Sequence, residues 1–403
     1  MKKILNSLVF KIVIGIILGI IIGMISNSTV MVFFVTIRDL LGSVIKYIVP
    51  LIILGFITPA IVSLKNNVGK VLSVTLIICY ISSVGASLFS AVAGYSIIPS
   101  LNIASSVAEG LKLPDSPLKL TVDPIMPVMT ALVTSILVGI AVIKTKSQVW
   151  ENLLMEFNRI VLFIVEKVVI NILPFYIIAT FATLAYEGTI ITQLPIFLIV
   201  IIIVIVGHFI WLTLLYGLGA AFSKTNPKEV FRHYPPAYAT ALGTMSSAAS
   251  LSVCLRSASK SKTLDPKIRD FVIPLCSNTH LCGSVLTETF FVMVVYKLLS
   301  PTGSLPPVSS MITFAFLLGI FAIAAPGVPG GTVVASLGLI ISILGFDDNG
   351  TALMLSIFAL QDSFGTACNI TGDGAIALMV TGLFKKVPGR NGNPEHTKAD
   401  EIE

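Results

Sequence analysis

The chain has 403 residues, of which 55% are hydrophobic and 11% are charged, and its mean hydropathy is +0.97. This composition excludes a soluble globular protein and predicts several membrane-spanning helices. The net charge of +6 does not indicate a nucleic-acid-binding protein, because the basic residues lie in short loops between apolar segments.

Six apolar segments predict the first spans of the chain, near 8–25, 30–64, 68–98, 120–143, 150–185 and 190–222. The segment 8–25 reads as the first helix rather than a signal peptide, because no small-residue cleavage site leads from it into a soluble domain. The Lys and Arg residues of alternate loops fall on one side of the membrane, which predicts cytoplasmic termini. The expected location is therefore the cell membrane.

The pattern changes after residue 222, where two regions are too irregular for full spans. From Tyr234 to Arg256 the sequence is rich in Ala, Ser and Thr, and at 325–332 Pro and Gly interrupt an apolar stretch. Both regions are predicted to be re-entrant hairpins, each followed by a span with polar groups, in repeats of about 231–299 and 307–385. The alternative for the Ser-rich region is a small-residue packing seam between helices.

The last apolar segment, 353–383, carries Asp362, Thr366, Asn369 and Asp373 at separations of four, three and four residues. On an α-helix these offsets place all four side chains on one stripe. Carboxylates inside a membrane-length segment usually mark an ion or substrate path. The alternative is a pair of carboxylates that neighbouring helices satisfy, without a role in transport.

These features together resemble a known family. The Ser246-Ser247 pair with Arg256 ten residues on, the turn at 327–330, and Asp362 followed by the run 369–373 are similar to the dicarboxylate/amino acid:cation symporter family. That family includes transporters of glutamate and of neutral amino acids. The resemblance implies an all-α polytopic membrane protein with eight transmembrane helices and two re-entrant helical hairpins. It also implies a homotrimer with an elevator mechanism, no enzymatic activity, no cofactor, and contact with membrane lipid.

The resemblance further implies a division into a static scaffold and a mobile transport domain. Residues 1–64 would hold scaffold helices 1 and 2, 65–98 transport-domain helix 3, and 99–189 scaffold helices 4 and 5. Residues 190–385 would hold helix 6, hairpin 1, helix 7, hairpin 2 and helix 8 of the transport domain. A polar cytoplasmic tail, 386–403, would follow.

By the same resemblance, residues of these motifs would bind the substrate and the coupling ion. Asp362 would hold the substrate amino group, Asn369 would contact the substrate or a cation, and Asp373 would bind sodium. Hard oxygen ligands of this kind suit sodium. The implied substrate-binding set is Ser246, Ser247, Val328, Pro329, Gly330, Asp362, Thr366 and Asn369.

The chain departs from the family pattern on the seventh helix. Where members usually read Asn-Met-Asp-Gly-Thr, it reads His280-Leu281-Cys282-Gly283-Ser284, so a thiol stands where one sodium-site carboxylate is expected. A histidine can titrate near physiological pH, and Glu288 lies two turns beyond His280 on a related face. A proton is therefore an alternative to one sodium, with His280 also a weak candidate sodium ligand. The opposing interpretation is that His280 and Glu288 only bond each other or neighbouring helices.

A second departure concerns the substrate. Met245 and Gly365 occupy the two positions at which acidic amino acid transporters carry an arginine for the side-chain carboxylate. The run Leu360-Gln361-Asp362-Ser363 resembles the serine/threonine branch instead. A small neutral substrate (serine, threonine or alanine) is expected, and a dicarboxylate or acidic amino acid is the alternative. An aspartyl enzyme is disfavoured, because eleven residues of helix separate Asp362 from Asp373 by about 16 Å and the two cannot share a proton. A channel is disfavoured by the two predicted hairpin gates, which suit a symporter better.

Overall fold

A computed structural model describes residues 8–63, 70–101, 103, 112–118, 122–327 and 329–384 of the chain. Over these residues the regular structure is helical, with a 3-10 turn at Ile98–Ser100 and a π turn at Val165–Val169. The α-helices are α1 Leu8–Ile25, α2 Ser28–Ser63, α3 Lys70–Ile97, α4 Val128–Thr145, α5 Gln148–Ile164, α6 Ile170–Tyr186, α7 Thr189–Ser223, α8 Lys228–Phe231, α9 Pro235–Thr244, α10 Ser247–Ala258, α11 Pro266–Thr279, α12 Cys282–Leu299, α13 Val308–Ala324, α14 Gly331–Leu344 and α15 Asp348–Phe384.

Many of these helices are long and apolar enough to cross a membrane. Among the described residues, six helical stretches meet that length and composition, and four shorter apolar helices accompany them. The six stretches are Ser28–Val62, Lys70–Ser100, Gln148–Tyr186, Pro195–Ser223, Pro266–Leu299 and Gly350–Phe384. The protein is therefore a polytopic helical membrane protein, and the figure of eight spans plus two hairpins stays a prediction.

The helices pack in two groups. In the first group α1 lies against α6, and α2 lies against α4, α5 and α6. In the second group α15 is central and contacts α7, α9, α11 and α12, while α3 contacts α12 and α13. The two groups meet where α14 contacts α2 and α4, where α15 contacts α1 and α6, and where α7 contacts α6.

Two helical hairpins lie in the second group. Hairpin 1 consists of α9 and α10, which are separated by a turn at Met245 and Ser246. Hairpin 2 consists of α13 and α14, which are separated by the segment 325–330. Both turns fall inside the regions in which the sequence predicts a break.

One expectation about a helix boundary was wrong. The fourth apolar span does not begin near residue 120, because α4 starts at Val128, directly after Pro127. Proline cannot donate to a helix and favours its first turn, so Pro124 and Pro127 delay the start. The structure also divides the helix that the resemblance numbers seventh, since His280 and Leu281 separate α11 from α12.

Candidate functional site

The polar stripe predicted at the end of the chain lies on one continuous helix, α15, and faces the interior. Asp362, Thr366, Asn369 and Asp373 are between 0% and 5% exposed. Buried polar groups at membrane depth need partners from neighbouring elements. The partners of Asp362, Asn369 and Asp373 come from hairpin 2 and from the junction between α11 and α12.

Asp362 binds the turn of hairpin 2. Its Oδ2 accepts the backbone N–H of Gly330 at 2.7 Å. Gly330 has a φ of +71°, which favours glycine, and it precedes the first residue of α14. A side chain on Gly331 would lie 2.2 Å from the carbonyl oxygen of Pro326, so the chain doubles back tightly here. Pro329 belongs to this turn, whereas Val328 lies outside the described residues.

The turn of hairpin 1 meets the turn of hairpin 2. Ser246 caps α10 by accepting the N–H of Ala249 at 3.3 Å, and its hydroxyl donates to the carbonyl oxygen of Gly327 at 3.0 Å. Ser247, the first residue of α10, is buried beside it. The serine pair and the glycine turn named by the sequence therefore lie together, next to Asp362.

Asn369 holds the broken seventh span. Its Oδ1 accepts the N–H groups of Gly283 and Ser284 at 2.7 and 3.2 Å, and its Nδ2 donates to the Ser284 hydroxyl at 2.9 Å. These N–H groups are at the start of α12, where a helix has no internal acceptor for them. Both lone pairs of the Asn369 oxygen are thus used to fix α12 in this conformation.

The sequence interpretation missed this break, although one signal for it is present. The four residues Ser277 to His280 all have low helix propensity, and they stand in the middle of an apolar span. The partner that caps the new helix end, Asn369, is 86 positions from Gly283 in sequence. Local patterning contains no information about such a contact.

His208 is a second residue that the sequence interpretation missed. It is 1% exposed on α7, and its Nε2 lies 3.0 Å from the Gly283 carbonyl oxygen and 2.9 Å from the Thr287 hydroxyl. The peptide groups of Gly283 are therefore held from two sides, by Asn369 and by His208. A lone imidazole inside the apolar stretch 195–223 was the available signal.

His280 lies against the carboxylate that the resemblance assigns to sodium. Its Nδ1 is 3.1 Å from Asp373 Oδ1, and its Nε2 is 2.9 Å from the Ser82 hydroxyl on α3. His280 and Asp373 are both fully buried. Asp373 Oδ2 has no hydrogen-bond partner among the described residues, so one oxygen of this carboxylate stays available to a cation.

Glu288 is separate from His280 and has a different partner. Its Oε1 accepts the hydroxyl of Ser336 on α14. The two candidate proton-coupling residues therefore do not bond each other, and each bonds a neighbouring element. Glu288 connects α12 to hairpin 2, whereas His280 connects the α11–α12 junction to α3 and α15.

The two positions without an expected arginine have different surroundings. Met245 is buried with a φ of +51° at the turn of hairpin 1. Gly365 packs against α12, since a Cβ at this position would lie 3.3 Å from the Cα and backbone N of Ser284. A larger residue at 365 would have to displace the start of α12.

A cavity of about 400 Å³ separates the hairpin turns from the first helix group. On the hairpin side its lining includes Ala248 and Gly327, and on the other side it includes Pro59, Asn158 and Glu166. Glu166 lies within the stretch Gln148–Tyr186 and is exposed.

Comparison with known proteins gives one family and several relatives. The model of the sodium:dicarboxylate symporter family matches residues 8–383. Excitatory amino acid transporter 2 of Mus musculus is 27% identical over 255 residues, which cover 61% of this chain and 43% of that protein. The putative sodium-dependent excitatory amino acid transporter glt-6 of Caenorhabditis elegans is 29% identical over 164 residues, or 41% of this chain and 29% of that protein. The matched parts thus span less than half the length of these relatives.

Proposed function

Because the chain belongs to the sodium:dicarboxylate symporter family, we propose that it couples inward sodium movement to the uptake of a small amino acid. The observation that carries the proposal is the meeting of both hairpin turns next to Asp362. Non-helical backbone of this kind, at membrane depth, is used by transporters to present bare amides and carbonyls to substrate and ions. Asp362 would take the substrate amino group, and the turn of hairpin 1 would take its carboxylate.

We propose that the substrate is neutral: serine, threonine or alanine. Met245 and Gly365 supply no cation for a side-chain carboxylate, and an unpaired buried carboxylate is strongly disfavoured. The alternative is an acidic amino acid or a dicarboxylate, and the names of the relatives favour it.

Uptake of a radiolabelled amino acid panel into proteoliposomes, with sodium and proton gradients imposed separately, tests substrate and coupling together. We expect the uptake of serine, threonine or alanine to be higher with an inward sodium gradient than in sodium-free controls. Preference of the wild-type protein for aspartate over serine would contradict the neutral substrate. Gly365→Arg adds a cation one turn after Asp362 and should raise relative aspartate affinity, but it also crowds Ser284. Gly365→Ala is the control for that crowding.

The coupling ions are proposed from the contacts of Asp373 and Glu288. Asp373, with Asn369 nearby on the same face, is the proposed sodium ligand, and Asp373→Ala should abolish sodium dependence. A proton on Glu288 is the proposed alternative to a further sodium, with His280 as the second candidate. Glu288→Gln mimics the protonated acid and should flatten the response of uptake to external pH while exchange persists. Absence of any response of wild-type uptake to a proton gradient would exclude proton coupling.

An elevator movement is proposed from the two helix groups. Helices α1, α2 and α4–α6 would form the scaffold, and α3 and α7–α15 would form the transport domain. The cavity between Pro59 on one side and Gly327 on the other supports separate movement of the groups. Ala248 lines this cavity. In the variant Ala248→Cys, the rate at which the new thiol reacts with an impermeant thiol reagent should change when substrate and sodium are added. An unchanged rate would argue against the movement.

A homotrimer in the cell membrane is proposed from the outer face of α5 and the π turn. Charged residues on this face are exposed although they lie in an apolar stretch: Lys167, and the ion pair of Glu156 and Arg159, whose charged atoms lie 2.6 Å apart. Lipid solvates such charges poorly, so another copy of the chain is the expected cover. Native mass spectrometry should give three chains. Phe163→Cys should form covalent dimers with a bifunctional thiol reagent, whereas the equally exposed Ile202→Cys on α7 should not.

A further inference from the structure

Two buried side chains in the second helix group have polar atoms that no partner satisfies. Glu288 and Gln361 are both 0% exposed. Among the described residues, Glu288 Oε2 and both amide atoms of Gln361 have no hydrogen-bond partner. Burial of such atoms costs free energy, and at membrane depth water does not reduce that cost. An unpaired Gln361 therefore destabilises the fold relative to a leucine at the same buried position.

The helix register places these two residues level with each other. A Cβ on Gly283 would lie 2.5 Å from Cys368 Cβ, and a Cβ on Gly365 would lie 3.3 Å from Ser284. Contacts therefore advance along α12 as they go back along α15, so the two helices are antiparallel. One turn of four residues beyond the Ser284–Gly365 contact are Glu288 on α12 and Gln361 on α15.

The chemistry of the two side chains is complementary. A glutamine amide donates through nitrogen and accepts through oxygen, so it can bond a carboxylate or a protonated carboxyl equally well. A lysine or arginine would instead fix the charged form. Gln361 is thus suited to a partner that changes its protonation state, which is the role proposed above for Glu288.

The same two positions of α15 also reach hairpin 2. Asp362, which follows Gln361, accepts the N–H of Gly330 at the turn. Glu288 accepts the hydroxyl of Ser336, six residues further along α14, or about 9 Å of helix. Hairpin 2 is therefore attached at its turn and at its body, and both attachments involve α15 if Gln361 bonds Glu288.

Glu288 Oε2 and the Gln361 amide do not bond each other in this structure, in which both are without a partner. We propose that Gln361 is a positioning residue that bonds Glu288 when substrate is bound, and that the resulting chain from Ser336 through Glu288 to Gln361 latches hairpin 2 closed over the substrate. The inference rests on the proposed function, since the latch acts on the proposed substrate site. It assigns Gln361 a role in coupling that is distinct from substrate contact.

Other titratable groups near Glu288 have different partners. The helices that contact α12 are α3, α7, α13, α14 and α15. Of these, α13 and α14 carry no titratable side chain. On α15, Asp362 bonds Gly330 and Asp373 bonds His280, and on α7, His208 bonds Gly283. On α3, Cys79 bonds Cys276, Tyr80 bonds Phe316 and Tyr95 bonds Pro306.

The test compares Gln361→Met with the wild type in proteoliposomes. Methionine keeps the length of the side chain and removes both polar groups. We expect the substrate KM to rise about tenfold, as for loss of one buried hydrogen bond to an ionisable group. The pH profile of uptake should also shift. Ser356→Ala is the matched control, because it removes a buried hydroxyl of α15 that bonds only its own helix, to Ala352 O.

A double-mutant cycle separates the latch from simple packing. In the Glu288→Leu background the Gln361→Met change should have no further effect on KM or on the pH profile. Equal effects of Gln361→Met in both backgrounds, or an unmoved pH profile, would overturn the latch.

Failure of the proposed function would look different. If the wild type takes up no amino acid of the panel, hydrogen–deuterium exchange in hairpin 2 still tests the latch. Exchange at residues 331–340 should be faster in Gln361→Met than in the wild type and unchanged in Ser356→Ala. Equal exchange in all three proteins would overturn the latch without reference to transport.

Discussion

The two hairpins meet at their turns, but they are held in different ways. The bonds at the turn of hairpin 1 are largely its own: Ser246 caps α10, and the Thr244 and Ser250 hydroxyls lie 3.0 Å apart. Hairpin 2 is held instead by side chains of other helices, through Asp362 at Gly330 and Glu288 at Ser336. A hairpin held by ionisable groups elsewhere responds when those groups gain a ligand or a proton. Hairpin 2 is therefore the expected gate.

The bases of the hairpins extend this contrast. Glu229 of α8 accepts the Ser261 hydroxyl at 2.5 Å, the Thr263 hydroxyl at 2.9 Å and the Lys262 N–H at 3.0 Å. These bonds tie the chain that enters hairpin 1 to the chain that leaves it. Hairpin 1 is thus closed at its base as well as at its turn, and we expect it to move as one unit with the helices beneath it.

The largest expected effect comes from removing the anchor of hairpin 2. Asp362→Ala deletes the acceptor of Gly330 and the proposed partner of the substrate amino group. Amino acid binding should fall more than about a hundredfold, as for truncation of one partner of a buried charged pair. A sodium-induced thermal shift should persist, because the proposed sodium ligand, Asp373, is a different residue. Ser363→Ala, at the next buried position, is the control, and equal loss of both ligands in Asp362→Ala would argue for one merged site.

A smaller effect is expected from the backbone of the turns. Gly331→Ala places a methyl group 2.2 Å from Pro326 O and should destabilise closed hairpin 2 by about 1–3 kcal/mol. Gly243→Ala in hairpin 1 meets nothing within 4 Å and should be neutral or stabilise α9 by up to about 1 kcal/mol. Substrate affinity and thermal unfolding of both variants measure the difference. Similar losses in the two would remove the distinction between the hairpins.

The turns and the polar stripe that underlie this contrast could be predicted from the sequence, but the contacts between distant residues could not. Pro and Gly at 325–332 and the small polar run before Arg256 predicted the turns, because backbone geometry is determined by neighbouring residues. The stripe on α15 followed from helical periodicity. The capping of α12 by Asn369 and the clamp by His208 could not be predicted, since they join residues that are distant in sequence. The partner of Glu288 was missed for the same reason.

A third prediction concerns the bond between the hairpins. Ser246→Ala removes the cap of α10 and the bond to Gly327 O, and should cost about 1 kcal/mol. Ser246→Asn keeps a capping group and should recover part of that loss. Thermal unfolding with and without substrate provides the measurement. Full activity and unchanged unfolding in Ser246→Ala would show that hairpin 1 does not depend on this cap.

The smallest effect is expected at the base of hairpin 1. Burial raises the pKa of Glu229, but the hydrogen bonds from Ser261, Lys262 and Thr263 outweigh it, so the pKa lies below its ordinary value. The carboxylate therefore stabilises the fold above the ordinary pKa of a glutamate, and this contribution is lost as pH falls through the lower folded value. Glu229→Gln should remove that part of the acid dependence of unfolding. If the free energy of unfolding falls equally at acid pH in both proteins, the role of this carboxylate is contradicted.

The close approach of α12 and α15 has an electrical consequence. Gly283 and Gly365 bring the two backbones together so tightly that a methyl group on Gly283 would lie 2.5 Å from the Gly365 carbonyl oxygen. No hydrated ion fits through a seam of that width, and the adjoining N–H groups are already occupied by Asn369. An ion bound at Asp373, as proposed, would therefore have no path along this contact to Glu288. If the chain is the symporter proposed above, this close glycine contact would prevent an uncoupled ion current that dissipates the membrane potential.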